Sequence, residues 1–176
     1  AFLQFNCAEA VNFALADWIP HGSLCHETYR SFKRASVVSI HELVHDAILQ
    51  ERDVATLQWL YSEFSNLRLQ EEFYRGRLLA SGLSSCARWD HQKTGMRSAP
   101  CSFCNAECFI SAVVCECTPD RVACLRHALQ TCSCPINKKI LLMRLTLSQM
   151  DSILTNARLR IHNGSVPMMA VSGNRM

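Results

Sequence analysis

Eight cysteines crowd into the 34 residues from Cys101 to Cys134, and this constrains the fold more than any other feature. Most come in pairs, one pair completed by a histidine: Cys101-x2-Cys104, Cys115-x-Cys117, Cys124-x2-His127 and Cys132-x-Cys134. Cys-x2-Cys is the spacing of a tight turn whose two sulfurs converge on one ion. Cys-x-Cys on an extended segment puts both sulfurs on one face, because strand side chains repeat every two residues. Cys124 and His127 are three apart, hence neighbours on a helical turn. Four pairs supply the ligands of two tetrahedral zinc sites with no position left open. Closed sites are structural, whereas catalytic zinc keeps one position for water. Spacing leaves the pairing open. Sequential pairing gives 101/104/115/117 and 124/127/132/134; interleaved pairing gives 101/104/124/127 and 115/117/132/134. Either couples local folding to metal, since so short a segment has little core of its own.

A secreted disulfide scaffold would spread its cysteines along the chain and carry an even count, whereas this one has eleven in all. Dense pairs with a histidine among them fit metal binding in a reducing compartment. Asn163-Gly-Ser165 matches a glycosylation acceptor, but nothing else points to secretion. Cys108 stands between two pairs, beside an apolar run, and is expected to be a buried free thiol. Cys7, Cys25 and Cys86 lack ligand partners nearby and are expected to pack as small hydrophobes. Seven thiolates and two Zn²⁺ ions would bring the formal charge of +3 to about 0. The tail from Asn137 onward carries six Lys/Arg against one Asp, a modest basic surface that reads as a solvated face before it reads as a nucleic-acid contact.

No window reaches 18 consecutive apolar residues, so no transmembrane helix is expected. The start at Ala1, without a charged leader and apolar run, reads as a piece of a longer protein. Residues 4–13 read as a strand or strand end, broken by Pro20 and Gly22. A short helix is expected over 23–33. A helix should start at about Ile40, with Leu43, Val44, Ala47 and Ile48 on its apolar stripe. Residues 53–79 continue the helical pattern, with Val54, Leu57, Leu60, Tyr61, Phe64 and Leu67 as core. Residues 81–99, rich in Ser, Gly and charge, read as a linker. "KILLMRL" (139–145) suits a strand. Thr146 and Gln149 form a capping box for a helix with Met150, Ile153, Leu154 and Ala157 inward. From His162 the sequence looks frayed, and 161–176 reads as a tail. The fold class is mainly α with a small zinc-bound α+β module.

"HELVH" (41–45) matches the zinc-protease signature, in which two histidines one turn apart hold the ion and the glutamate is the base. A third ligand such as Glu63 would complete it. A protease also needs a substrate-binding strand ahead of the helix, and only 40 residues precede this one. Ser39 stands three before Glu42, so a capping box already accounts for the glutamate. His41 and His45 then read as half-exposed helix residues.

The eight paired positions resemble the C5HC2 zinc finger that follows the JmjC domain in JARID/Lid-type histone demethylases, matching its five cysteines, one histidine and two cysteines in order. "NCAEAVNFALADWIPHG" (6–22) is similar to the last strand of a JmjC barrel and the segment leaving it. "ETYRSF" (27–32), "SIHEL" (39–43) and "ILLMRLTLSQM" (140–150) continue the likeness over about residues 1–160. The resemblance implies interleaved zinc pairing: Cys101, Cys104, Cys124 and His127 on one ion, Cys115, Cys117, Cys132 and Cys134 on the other. It implies a division into the end of a cupin-like JmjC β-barrel (1–22), a helical domain (23–80), a linker (81–99) and the double-zinc finger with its flanking strand and helix (100–160).

The family's enzymes use Fe(II) and 2-oxoglutarate to remove methyl groups from lysine 4 of histone H3, with iron held by two histidines and a carboxylate. None of those ligands is assignable here, and the third would fall just upstream of Ala1. By the same likeness Ala10, Val11 and Asn12 would border the methyl-lysine pocket. The implied partners are the rest of the JmjC domain and the histone H3 tail or subunits of a chromatin complex, and the implied location is the nucleus. One departure stands out. Members carry Gly-Phe-Asn-x-Gly before this strand, whereas Ala1-Phe2-Leu3-Gln4-Phe5 is shorter by one and has Leu3 for the Asn. Fungal members with degenerate JmjC domains act as chromatin-complex scaffolds. Three readings are therefore carried forward: the lobe of a demethylase, a non-catalytic scaffold of the same fold, and the metalloprotease.

Overall fold

The computed structural model describes residues 26–35, 39–89 and 98–164. The proposed barrel strand, Ala10, Val11, Asn12, Cys7, Cys25 and the tail beyond Gly164 lie outside the described residues. After a short helical segment over 26–31, the chain runs through α1 (Ile40–Gln50) and α2 (Val54–Ala80). Five short strands follow: β1 (Ser85–Arg88), β2 (Ala99–Pro100), β3 (Glu107–Cys108), β4 (Ser111–Cys115) and β5 (Lys139–Met143). Helix α3 (Leu147–Gly164) closes the order.

The caps act as the sequence dictates. Ser39 Oγ accepts from the Glu42 N–H at 3.3 Å, and the Asp53 carboxylate accepts from the Thr56 N–H at 2.8 Å. These side chains satisfy donors that the first helical turn leaves without a partner. At α3 the box is reciprocal: Thr146 N–H donates to Gln149 Oε1 at 2.9 Å, and Gln149 N–H to Thr146 Oγ1 at 3.1 Å. Helix α3 runs on through His162 to Gly164, where fraying was expected. No described helix is long and apolar enough to cross a membrane.

β5 is the centre of a three-stranded sheet of order β1-β5-β4, parallel to β1 and antiparallel to β4. The segment read as a linker therefore contributes a strand: Ser85–Arg88 pair with Ile140–Met143. It has no apolar alternation to announce it, because an edge strand exposed at all four positions buries nothing. Cys86 is exposed there, not packed as a small hydrophobe.

Nor do the helices form a core of their own. Val44, Ile48, Leu57, Leu60, Phe64 and Leu67 pack with Met150 and Ala157 of α3, and also with Phe109 and Ile110 from the cysteine block. A buried ion pair reinforces the seam. Glu71 and Arg75 of α2 are 7% and 4% exposed, with Arg75 Nε donating to Glu71 Oε2 at 2.8 Å. Ser111 of β4 donates to the same oxygen at 2.7 Å, and Arg75 reaches the Leu145 carbonyl at 3.0 Å. Burial raises the Glu71 carboxyl above its ordinary range, against the pull of Arg75 and Ser111.

Candidate metal centre

The cysteine block crosses between two places three times. β2 and β3 form a hairpin whose turn carries Cys101 and Cys104. Asn105 closes the turn with φ 55°, a left-handed conformation that asparagine tolerates better than most residues. Its N–H returns to the Cys101 carbonyl at 2.9 Å. β4 then carries the chain to Cys115 and Cys117. Ala123 pairs back onto Val113 through two hydrogen bonds of 2.8 and 2.9 Å, which delivers Cys124 to the first pair. A 3₁₀ turn (Leu125–Gln130) presents His127, and the chain returns with Cys132 and Cys134 to the second pair.

Two groups result: Cys101, Cys104, Cys124 and His127; and Cys115, Cys117, Cys132 and Cys134, the ligand atoms within each lying inside 4.8 Å of one another. In the first, Cys101 Sγ is 3.6 Å from His127 Nδ1, Cys124 Sγ is 3.2 Å from it, and Cys104 Sγ is 3.9 Å from Cys124 Sγ. In the second, Cys117 Sγ is 3.4 Å from both Cys115 Sγ and Cys134 Sγ. Tetrahedral zinc with Zn–S of about 2.3 Å puts its sulfurs about 3.8 Å apart, so both donor sets suit the ion in size and chemistry. These are zinc-binding clusters. The Cys-x-Cys pairs are not extended, as their spacing suggested. A turn follows Cys115 directly. That turn leaves Cys117 Sγ beside Cys115 Sγ.

One sulfur in each cluster is readied for metal, because the thiolate is the ligand form. A hydrogen bond from the Cys124 thiol, helped by backbone N–H groups, holds Cys101 down at about 4, whereas Cys124 is pushed up by that same contact and by burial. The Lys139 ammonium, 2.9 Å from Cys132 Sγ, lowers Cys132 to about 6. Cys108 is buried and free, its thiol raised by burial and by the neighbouring sulfurs.

His41, Glu42, His45 and Glu63 belong to neither metal-binding group found among the described residues. The ring of His45 lies 5.5 Å from that of Phe109 and 6.4 Å from that of Phe64, and its Nδ1 donates to Asp46 at 2.8 Å. His41 faces His26 instead, ring centroids 5.1 Å apart. His26, His41 and Glu63 line a cavity of about 310 Å³. Burial first, then the charges of His26, Arg30 and Arg126, lowers His41 to about 3. Burial and Arg30 lower His26 to about 4. Cations crowding His41 favour a neutral histidine and disfavour a dication beside it.

Sequence reasoning passed over Lys139, Glu71 and Arg75. The first sits in a strand pattern and the others at the helical i,i+4 spacing. Nothing in the sequence says that these charges are buried.

Residues 101–153 match the C5HC2 zinc finger. The chain is 32% identical over 158 residues to the human and chimpanzee proteins named lysine-specific demethylase 5D, a stretch that covers 89% of this chain and 10% of each relative. It is 28% identical over 170 residues to the Arabidopsis thaliana protein named probable inactive lysine-specific demethylase JMJ19, covering 85% of this chain and 24% of that one. The chain thus spans between a tenth and a quarter of the curated relatives it matches.

Proposed function

We propose, from the premise that this chain is the C-terminal segment of a JARID-type JmjC protein bearing a C5HC2 zinc finger, that it is a rigid zinc-stapled lobe supporting the JmjC barrel of a nuclear chromatin protein. Cys101, Cys104, Cys124 and His127 hold one zinc, and Cys115, Cys117, Cys132 and Cys134 the other. Neither zinc takes part in a reaction, since four protein ligands leave no open position. The carrying observation is the seam: Phe109 and Ile110 of the finger sit inside the helical core, so metal binding organises the helices as well as the loops. In the intact protein, Fe(II) and 2-oxoglutarate would supply demethylation of histone H3 lysine 4 from residues outside this chain, with Ala10, Val11 and Asn12 bordering the methyl-lysine pocket. Metal analysis should return two zinc ions per chain; one ion, or three, contradicts the two-site assignment.

A second reading is a scaffold of the same fold without turnover. The shortened Ala1-Phe2-Leu3-Gln4-Phe5 segment favours it, as does a relative named as probably inactive. Incubating the intact protein with Fe(II), 2-oxoglutarate and methylated histone H3 peptides separates the two. Loss of methyl groups supports the enzyme, and an unchanged peptide with normal zinc content supports the scaffold.

A further inference from the structure

Lys139 is 1% exposed, and its side chain is among the largest fully buried ones in the protein. A buried ammonium needs a partner of opposite charge or a dense set of acceptors. Its salt-bridge partner is no carboxylate among the described residues. Instead Nζ donates to Cys132 Sγ at 2.9 Å and to the Cys132 carbonyl at 3.0 Å. On the backbone the same residue stands opposite Cys115, the last register pair of β4 and β5, and Cys115 Sγ contacts the Lys138 carbonyl at 3.6 Å. Lys139 therefore touches both chain segments that supply ligands to the second cluster. The first cluster has a neutral imidazole as its fourth donor. The second has four thiolates, which with Zn²⁺ carry about −2 against about −1 for the first.

We propose that Lys139 is a positioning residue of the four-cysteine site, a fixed cation that offsets its excess negative charge, locks Cys132 by a charge-assisted hydrogen bond and slows the loss of that zinc. The inference rests on the two-zinc reading above. Groups that orient metal ligands typically change metal affinity by about 10–100-fold when removed. The donation to Cys132 draws electron density from its sulfur, so it weakens proton or alkylator attack on that thiolate while the ion stays bound.

The test uses the full chain carrying zinc, titrated with a chelator, with alkylated cysteines located by mass spectrometry. Lys139→Met keeps the length and apolar stem of the side chain. It should release one of the two ions about 10–100-fold more readily, freeing Cys115, Cys117, Cys132 and Cys134 while Cys101, Cys104 and Cys124 stay protected. With cobalt in place of zinc, the sulfur-to-metal absorption of Lys139→Met should move to lower energy, because an undonated thiolate is a stronger electron donor. Lys139→Arg keeps the charge and should hold the ion more tightly than Lys139→Met. Wild-type retention in Lys139→Met, equal loss in both variants, or an unmoved cobalt spectrum overturns the assignment. A zinc content of one ion in the wild-type chain would instead overturn the two-site reading beneath it.

Discussion

Around Cys101, Cys104 and Cys124 the chain closes an apolar shell of Trp89, Ala99, Ala106, Cys108 and Ala112, with all three cysteines buried. Around the second cluster only Cys115 is buried; Cys132 and Cys134 are half-exposed and Cys117 is exposed. The first cluster also ties down its neighbours. Asn105 donates to the Lys33 carbonyl at 2.6 Å, and Arg126, one residue before His127, pairs with Glu27 at 2.8 Å. The second holds the outer bends and is backed by one buried lysine. Equal ligand counts thus give unequal roles: the first cluster is part of a core, and the second is a clasp on its rim.

The largest effects should separate the two. His127→Ala removes a donor from the cluster inside the core. It should lose one zinc and unfold the finger, a cost of several kcal/mol given what structural zinc contributes. Cys134→Ser should also lose one zinc yet keep the cooperative melting of the helices. His45→Ala, in contrast, should keep both ions. Thermal melts paired with metal analysis read all three, and a matching collapse in His127→Ala and Cys134→Ser would erase the distinction.

Next in size is the seam. Glu71→Ala strands the buried Arg75 guanidinium without its carboxylate, which costs about 3–5 kcal/mol. Glu71→Gln keeps an acceptor and should cost less. Urea unfolding followed by helical circular dichroism measures both. If the helices melt independently of the finger, the change should be confined to one of two transitions, and the shared core would be refuted.

The fold was partly legible in the sequence. Leu57, Leu60, Phe64 and Leu67 announce their helix by period, and the eight paired ligands announce zinc by spacing. Their partnering was not legible from spacing, because sequential and interleaved pairings use the same intervals. The interleaved groups lie together in space, with the Val113–Ala123 bridge, a contact between residues with nothing distinctive in sequence, bringing Cys124 toward Cys101 and Cys104. β1 was invisible because an exposed edge strand needs no apolar face. Lys139, Glu71 and Arg75 looked like solvated charges, since burial of a charge is a property of its surroundings. HELVH misleads for the opposite reason. Its spacing is that of a ligand pair, yet His41 and His45 meet different neighbours.

A smaller effect concerns pH. His26 and His41 are held neutral in the fold at about 4 and about 3, against 6.5 unfolded. Between 6.5 and about 4 the unfolded chain binds more protons, so stability falls as pH falls through that window. His41→Gln removes part of this dependence. Its urea midpoint should drop less than the wild type's between about pH 7 and about pH 5. An identical drop, with zinc content constant, would mean that His41 is not held neutral. The smallest effect is at the α3 cap, where Thr146→Ala should cost about 1 kcal/mol without touching either ion.

The most direct measurement is stepwise zinc removal from the wild-type chain by increasing chelator, with cysteine alkylation mapped at each step. Two groups should appear in order: Cys115, Cys117, Cys132 and Cys134 become reactive first, and Cys101, Cys104 and Cys124 afterwards. Joint release of Cys101, Cys104, Cys115 and Cys117, separate from Cys124, Cys132 and Cys134, would contradict the interleaved pairing. Release of all seven at once would contradict the difference between core and clasp.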